Sequence, residues 1–428
     1  MIFYPDSEKI EKILNRGEIF EEKYLNSVIE IIQKVKKEGD RALIKLTKKF
    51  DNYDLEKKFY FERSELKTFY EKIPENLKVA FNRAKDNIEF FHQAQLEKTF
   101  LVESNGAVLG QKITPLEKVG IYVPGGKASY PSTVLMNAVP AKVAGVDKVY
   151  MMSPTSGGEI NELVLGVAYL AGVDRVYLVG GAQAIAAFAY GTESVEKVDK
   201  IVGPGNIYVA LAKKMVFGTV DIDMIAGPSE ILILADDSAD PTFVAADMLS
   251  QAEHDELASA ITITDNEDLA KEIEQELISQ LFKLERRSIA EKSLKEFGGI
   301  LLVKNLEEGI DFVNKIAPEH FELCVRNPFE YLYKIKNAGA IFMGHYTPEA
   351  VGDYFAGPNH TLPTGGSARF FSPLGTYDFI KRSSIIQCSL GYLTKFGKNI
   401  MDMADSEGLT AHRDSVKYRM LNGFKTDI

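Results

Sequence analysis

Tryptophan is absent from this chain, cysteine occurs twice and histidine six times in 428 residues. The two thiols, Cys324 and Cys388, stand far apart and form neither a CxxC pair nor a zinc-ribbon spacing. That argues against a disulfide framework and a thiolate metal site. No apolar run reaches the roughly 18 residues that suggest a membrane span. The opening MIFYPDSEKIEKIL lacks the basic and apolar blocks of an export signal, so the expected location is the cytoplasm. Positive charge is in deficit, with 50 Lys and Arg against 61 Asp and Glu, a formal charge of -11 and a pI near 5.3. An acidic surface repels phosphate backbones and argues against nucleic acid as a partner. The dinucleotide fingerprint GxGxxG is missing as well, because neither Gly180-Gly181-Ala182-Gln183 nor Gly203-Pro204-Gly205-Asn206 has its spacing.

What is present predicts more than one core, since 428 residues with 45% hydrophobic content exceed what a single core organises. Residues 1–105 read as a helical region, with apolar positions at helical spacing in Val28, Ile29, Ile31, Ile32 and Val35 and again in Leu77, Val79, Ala80 and Phe81. Its expected role is packing and dimerisation. From about residue 106 short β-rich runs alternate with Ala-rich segments. Val119 to Val123, Val176 to Val179, Ile201-Val202 and Met224 to Ala226 each precede glycine or proline. A second set comprises Ile231 onward, Ile261 to Thr264, Ile300 to Val303 and Ala340 to Met343, with helical stretches at Pro241 to His254 and Asp268 to Leu284. Alternation of this kind argues for βαβ units and parallel sheets, whose ligands sit beyond the carboxyl ends of the strands. The expected fold is α/β, with a first domain at 106–227, a second at 228–374 and a helical tail at 375–428 too small to fold alone.

Four histidines stand in chemically suggestive company. Gln251 and His254 share a helix face, which suits a polar surface patch or a pair of metal donors, with Glu253 an alternative donor that points away from His254. Glu319 lies directly beside His320, two groups whose usual work is general acid–base catalysis or, equally, an ordinary helix start. Asp353 and His360 flank a Gly/Pro-rich loop, and Glu407 and His412 repeat the pairing of acid and imidazole near the C-terminus. Together they fit a divalent ion held by nitrogen and oxygen. His92 and His345 lack such neighbours. Glycine at strand ends also leaves room for a nucleotide without the usual fingerprint.

The runs GIYVPGG, STVLM, VGGAQAIAAFAYGT, VDKIVGPGN, DMIAGPSEILI, LSQAEHD, APEH, VGDYFAGPNHTLPT and EGLTAH occur in order. Over nearly the whole chain, most specifically from Gly120 to His412, they resemble the histidinol dehydrogenase family. The resemblance implies two incomplete Rossmann-like domains in a homodimer with shared active sites. It implies zinc on Gln251, His254, Asp353 and His412, and Glu319 and His320 as the catalytic acid–base pair. It assigns Ser229, Gln251, His254, His320, Asp353, His360, Glu407 and His412 to the substrate, and Tyr122, Gln183 and Asn206 to NAD. The implied reaction is oxidation of L-histidinol to L-histidine through a bound aldehyde, with no cysteine required. A relative acting on another polar alcohol and a metal-bound protein without catalysis are the competing readings. An alcohol dehydrogenase of the cysteine-ligated kind is disfavoured by the missing thiolates.

Overall fold

A computed structural model describes residues 1–16, 22–125, 130–155 and 157–422. The chain forms two compact units, the first 1–95 and 116–379, the second 96–115 and 380–428.

The first unit holds two six-stranded sheets. One runs, side by side, Tyr60–Glu62, Arg175–Tyr177, Lys148–Met152, Lys118–Tyr122, Lys200–Val202 and Asp221–Ile222. Every pairing is parallel except that of the Tyr60 strand. The other runs Ile2–Phe3, Gly299–Leu302, Ser259–Thr264, Glu230–Ala235, His320–Cys324 and Ala340–Met343, all parallel. Without the N-terminal edge strands, the five parallel strands of each sheet have the chain order 3-2-1-4-5. Strands Ser259–Thr264, Glu230–Ala235 and His320–Cys324 of the second sheet are buried on both faces, as continuous apolar runs require.

The N-terminal region does more than pack helices. Ile2–Phe3 extends one sheet and Tyr60–Glu62 the other. Val28, Ile32 and Val35 of helix Glu22–Glu38 are buried as the periodicity demands, against helices Gly181–Tyr190 and Ile207–Val216. In helix Glu75–Gln93 the buried stripe is Ala84, Ile88 and His92 rather than the predicted turn at Leu77 to Phe81. Met224 to Ala226 is not a strand; the edge strand is Asp221–Ile222. Buried Asp223 binds Lys213, accepts from the Gly203 N–H at 2.7 Å and from Met224 N at 2.6 Å, and so turns the chain out of the sheet.

In the second unit, Phe100–Ser104, Ala107–Pro115 and Ile380–Cys388 form an antiparallel sheet followed by helices Leu390–Ser406 and Thr410–Asn422. The tail thus begins with a nine-residue strand that its helical pattern did not announce. Among the described residues no helix is long and apolar enough to cross a membrane.

One buried ion pair ties the N-terminus to the second sheet. Arg16 donates to both carboxylate oxygens of Glu230, at 2.7 and 2.6 Å, and its remaining donors reach the carbonyls of Ile13 and Ile316. Arg16→Met strands the Glu230 charge and is expected to cost about 3–5 kcal/mol of stability. Urea unfolding measures this, and a loss within about 0.5 kcal/mol, the surface-substitution range, shows the pair to be dispensable.

Candidate functional site

In the first sheet the strand order reverses between Lys118–Tyr122 and Lys200–Val202, and a crevice opens where such reversals place ligands. A cleft of about 740 Å³ lies there, lined by Tyr122, Pro124, Gly125, Pro154, Thr155, Gly181, Gln183 and Asn206, with helices Glu22–Glu38 and Asp40–Asp51 lending the other wall. The Tyr122 hydroxyl accepts from the Gly181 N–H at 3.0 Å at the start of helix Gly181–Tyr190. Burial pushes its pKa up to about 12, so it stays a neutral phenol. The Asn206 amide oxygen caps the next helix through Tyr208 N and Val209 N. Gly203 adopts φ +108°, and a Cβ there would lie 2.2 Å from the Tyr122 carbonyl oxygen, so only glycine lets the two strand ends approach.

The second sheet uses its opposite end. Glu230 and His320 are the first residues of adjacent strands, so the acid–base cluster forms at the amino ends rather than the carboxyl ends anticipated from fold class. Ala317, at φ 51°, ends helix Leu306–Ile316 in the left-handed region, and Pro318 and Glu319 lead directly into the strand. Glu319 accepts from the Glu230 N–H at 2.8 Å, while His320 Nδ1 lies 3.0 Å from the Glu230 carbonyl oxygen. A carbonyl only accepts, so Nδ1 carries a proton and Nε2 is the face presented to the site. That Nε2 is buried without a hydrogen-bond partner, 3.4 Å from Asp353 Oδ1.

Carboxylates crowd this imidazole. Glu319 Oε2 and Glu349 Oε1 lie 3.7 and 3.8 Å from His320 Nδ1. Burial alone would lower the His320 pKa, but Glu349, Glu319 and Asp353 hold it well above its usual value. Burial pushes Glu319 up to about 8 and Glu349 to about 7. A carboxyl near 8 exchanges protons around neutrality, the property required of a general base for water. Asp353 remains ionised: burial opposes this, but His320, His360 and His254 hold its pKa down.

Gln251, His254 and Asp353 are the donors that the resemblance implied and that lie in the first unit. Gln251 is wholly buried at the last turn of helix Pro241–Ala252, and the charge of Asp353 reaches His254. The amide orientation that satisfies both ends of Gln251 turns its nitrogen to Glu349, Oε1 at 2.7 Å and Oε2 at 3.0 Å. His360 is placed by Nδ1 on the Asp353 carbonyl at 2.9 Å, with Nε2 3.3 Å from the Thr133 hydroxyl. Ser229 precedes Glu230, its carbonyl accepting from Ser259 N. Glu407 and His412 are exposed on the second unit. Glu349 went unnoticed in the sequence, although His320, Glu349 and Asp353 bring ligand atoms within 4.8 Å of one another. Its signal was the Glu349 to Asp353 spacing, two acids four apart on one helical turn. Cys324 is buried, with its thiol pKa driven up by burial, and Cys388 is remote in sequence from every site motif. His92 is a buried structural histidine bonded to Gln95.

Residues 14–420 match the family profile described as histidinol dehydrogenase. The chain is 57% identical over 414 residues to a histidinol dehydrogenase of Aquifex aeolicus, with 96% of each chain covered. It is 54% identical over 410 residues to one of Syntrophotalea carbinolica, with 95% of each covered. A crystal structure of histidinol dehydrogenase from Elizabethkingia anophelis matches with TM-score 0.93 at 38% identity, over 100% of this chain and 98% of that one. These matches make the chain, with its parallel α/β scaffold, an oxidoreductase. The chain belongs to the histidinol dehydrogenase family.

The raised pKa of Glu319 makes stability depend on pH. The native carboxyl keeps its proton up to about 8, whereas the unfolded chain releases it near 4.5, so stability from this group falls as pH rises between those values. Glu319→Gln is expected to remove that part of the slope in denaturation series of metal-stripped protein. An unchanged slope would assign it to another group.

Proposed function

We propose that this chain oxidises L-histidinol to L-histidine in two successive NAD-linked steps, through an aldehyde kept at the His320 cluster. The observation that carries the reading is the Glu319 and His320 pair, with one imidazole nitrogen fixed on the Glu230 carbonyl and the other buried and unpartnered toward Asp353. His320 Nε2 takes the alcohol proton in the first oxidation, for which the imidazole must first be neutral, and Glu319 takes a proton from water to hydrate the aldehyde. Asp353 and Glu349 stabilise the imidazolium that forms.

The donor set suits a divalent cation: an ionised Asp353, the Gln251 amide oxygen and the His254 imidazole, with no thiolate. We assign these three residues to zinc, with the fourth donor His412 of the partner subunit, in a homodimer whose tails complete each other's sites. A cation held by these residues would supply positive charge that orients the substrate, and NAD held in the Tyr122 cleft would supply the hydride acceptor. Ser229, His360 and Glu407 would contact substrate, while Tyr122, Gln183 and Asn206 line the wall against which NAD packs. A cytoplasmic enzyme of histidine biosynthesis follows from this reading.

Glu319→Gln is expected to slow aldehyde oxidation about a hundredfold or more while affecting alcohol oxidation less. Stopped-flow assays with each substrate separate the two, and equal losses remove the assigned role. Chelation should abolish turnover and zinc restore it; full activity in protein verified to be metal-free overturns the metal assignment. Shared sites are tested by co-expressing Glu319→Gln with His412→Ala chains, each strongly impaired alone in aldehyde oxidation, the activity followed. Isolated hybrid dimers should regain activity, because one of their two sites is then intact; inactive hybrids would place His412 in its own chain's site.

A further inference from the structure

In a dinucleotide-binding sheet of this strand order, an acidic residue at the end of the second strand usually holds the adenosine ribose. Here that strand, Lys148–Met152, is followed by Ser153, Pro154 and Thr155, and no acid is present. A carboxylate reaches the same cleft from elsewhere. Asp51 is the last residue of helix Asp40–Asp51 and lines the cleft together with Thr155 and Tyr122. The next residue, Asn52, turns away with φ 54°, and its carbonyl would lie 3.2 Å from a Cβ on Gly158, which places the helix end against the loop after the second strand.

Asp51 has no structural rationale where it stands. An acid at a helix C-terminus faces the negative end of the helix dipole. Its Oδ2 is buried without a hydrogen-bond partner, and burial pushes its pKa up to about 6. Thr155 is only 4% exposed, and its hydroxyl is unpartnered too. Asp51 and Thr155 both line the cleft, and an unpartnered polar atom buried on each marks a place where a ligand that draws these side chains toward it supplies the missing partners.

We propose that Asp51 and Thr155 form the ribose-recognition site of this cleft, with Asp51 accepting from the vicinal hydroxyls of the adenosine ribose and excluding a 2′-phosphate. This rests on the cleft being the NAD site. Asp51 therefore sets the preference for NAD over NADP from an N-terminal helix rather than from the sheet. Lys34 and Lys49 line the same cleft and supply positive charge, while Glu30 adds a further negative one.

The test is direct binding of NADH and NADPH, followed by nucleotide fluorescence, with thermal unfolding of the nucleotide-free protein. Wild type should bind NADH in clear preference to NADPH at pH 8, where Asp51 is ionised. Asp51→Asn should weaken NADH by about tenfold to a hundredfold, the range for a hydrogen bond to a charged group. It should narrow the NADH to NADPH ratio and raise the thermal midpoint, because a penalised charge is removed. Thr155→Val should weaken NADH with a smaller change in the ratio. A merely structural Asp51 predicts the opposite, a lower midpoint with affinity and preference intact. Equal wild-type affinity for both nucleotides, as when Lys34 or Lys49 seats a 2′-phosphate, also overturns the proposal. If wild type and Tyr122→Ala bind NADH equally, the cleft itself is misassigned; if Tyr122→Ala loses NADH while Asp51→Asn does not, only the Asp51 proposal fails.

Discussion

Glu230 holds the second sheet, the N-terminus and the acid–base pair in one geometry. Its backbone N–H donates to the Glu319 carboxylate and its carbonyl accepts from His320, so two consecutive reactive side chains are aimed by one residue on the neighbouring strand. Its own carboxylate binds Arg16 and accepts from Gly365 N at 2.7 Å. The parallel register that pairs Ile231 with His320 makes this possible, because it puts the first residues of two strands side by side. Main-chain contacts have few alternative conformations, and pre-organisation of this kind is what a catalytic imidazole needs.

Two sheets of the same strand order divide the chemistry by using opposite ends. The first follows the general rule and opens its cleft at the carboxyl ends, where Gly181 and Gly203 let backbone N–H groups and strand ends approach. At its own carboxyl ends the second sheet carries Asp236, Asp237, Asp265, Glu267 and Asp268. Such a rim repels a pyrophosphate. Its reactive residues gather instead at the amino ends, where the loops from Ala317 to Glu319 and from Gly227 to Ser229 converge.

Much of this was legible in sequence because burial on both faces leaves uninterrupted apolar runs. Ile231 to Ala235, Ile261 to Thr264 and Ala340 to Met343 are strands close to where their β-branched residues place them. The short edges were not legible. Ile2–Phe3 is two residues long, and Phe100–Ser104 opens on Phe-Leu-Val but is exposed throughout, so neither shows the length or the alternation of a half-buried strand. The apolar run at Met224 to Ala226 misled because Asp223, bound to Lys213, turns the chain out of the sheet there, and of the three only Met224 is buried. At the site, motif resemblance named the residues with chemistry in their side chains. It passed over Glu349 and Glu230, whose importance depends on which strands and turns lie adjacent, a property of register rather than of local pattern.

The acid cluster also explains why this centre is costly to build and useful once built. Asp247, Glu319, Glu322 and Glu349 all have pKa values raised, chiefly by burial. A core under selection for stability alone would replace such groups with apolar ones. They persist together around His320, whose charge stabilises Glu319 and Glu349 and is stabilised by them. Because the groups titrate as a coupled set, a proton arriving on Nε2 alters the affinity of both neighbouring carboxyls for theirs. Removing any one acid therefore changes the basicity of the others, and the catalytic unit is the cluster with its Glu230 backbone support rather than His320 alone.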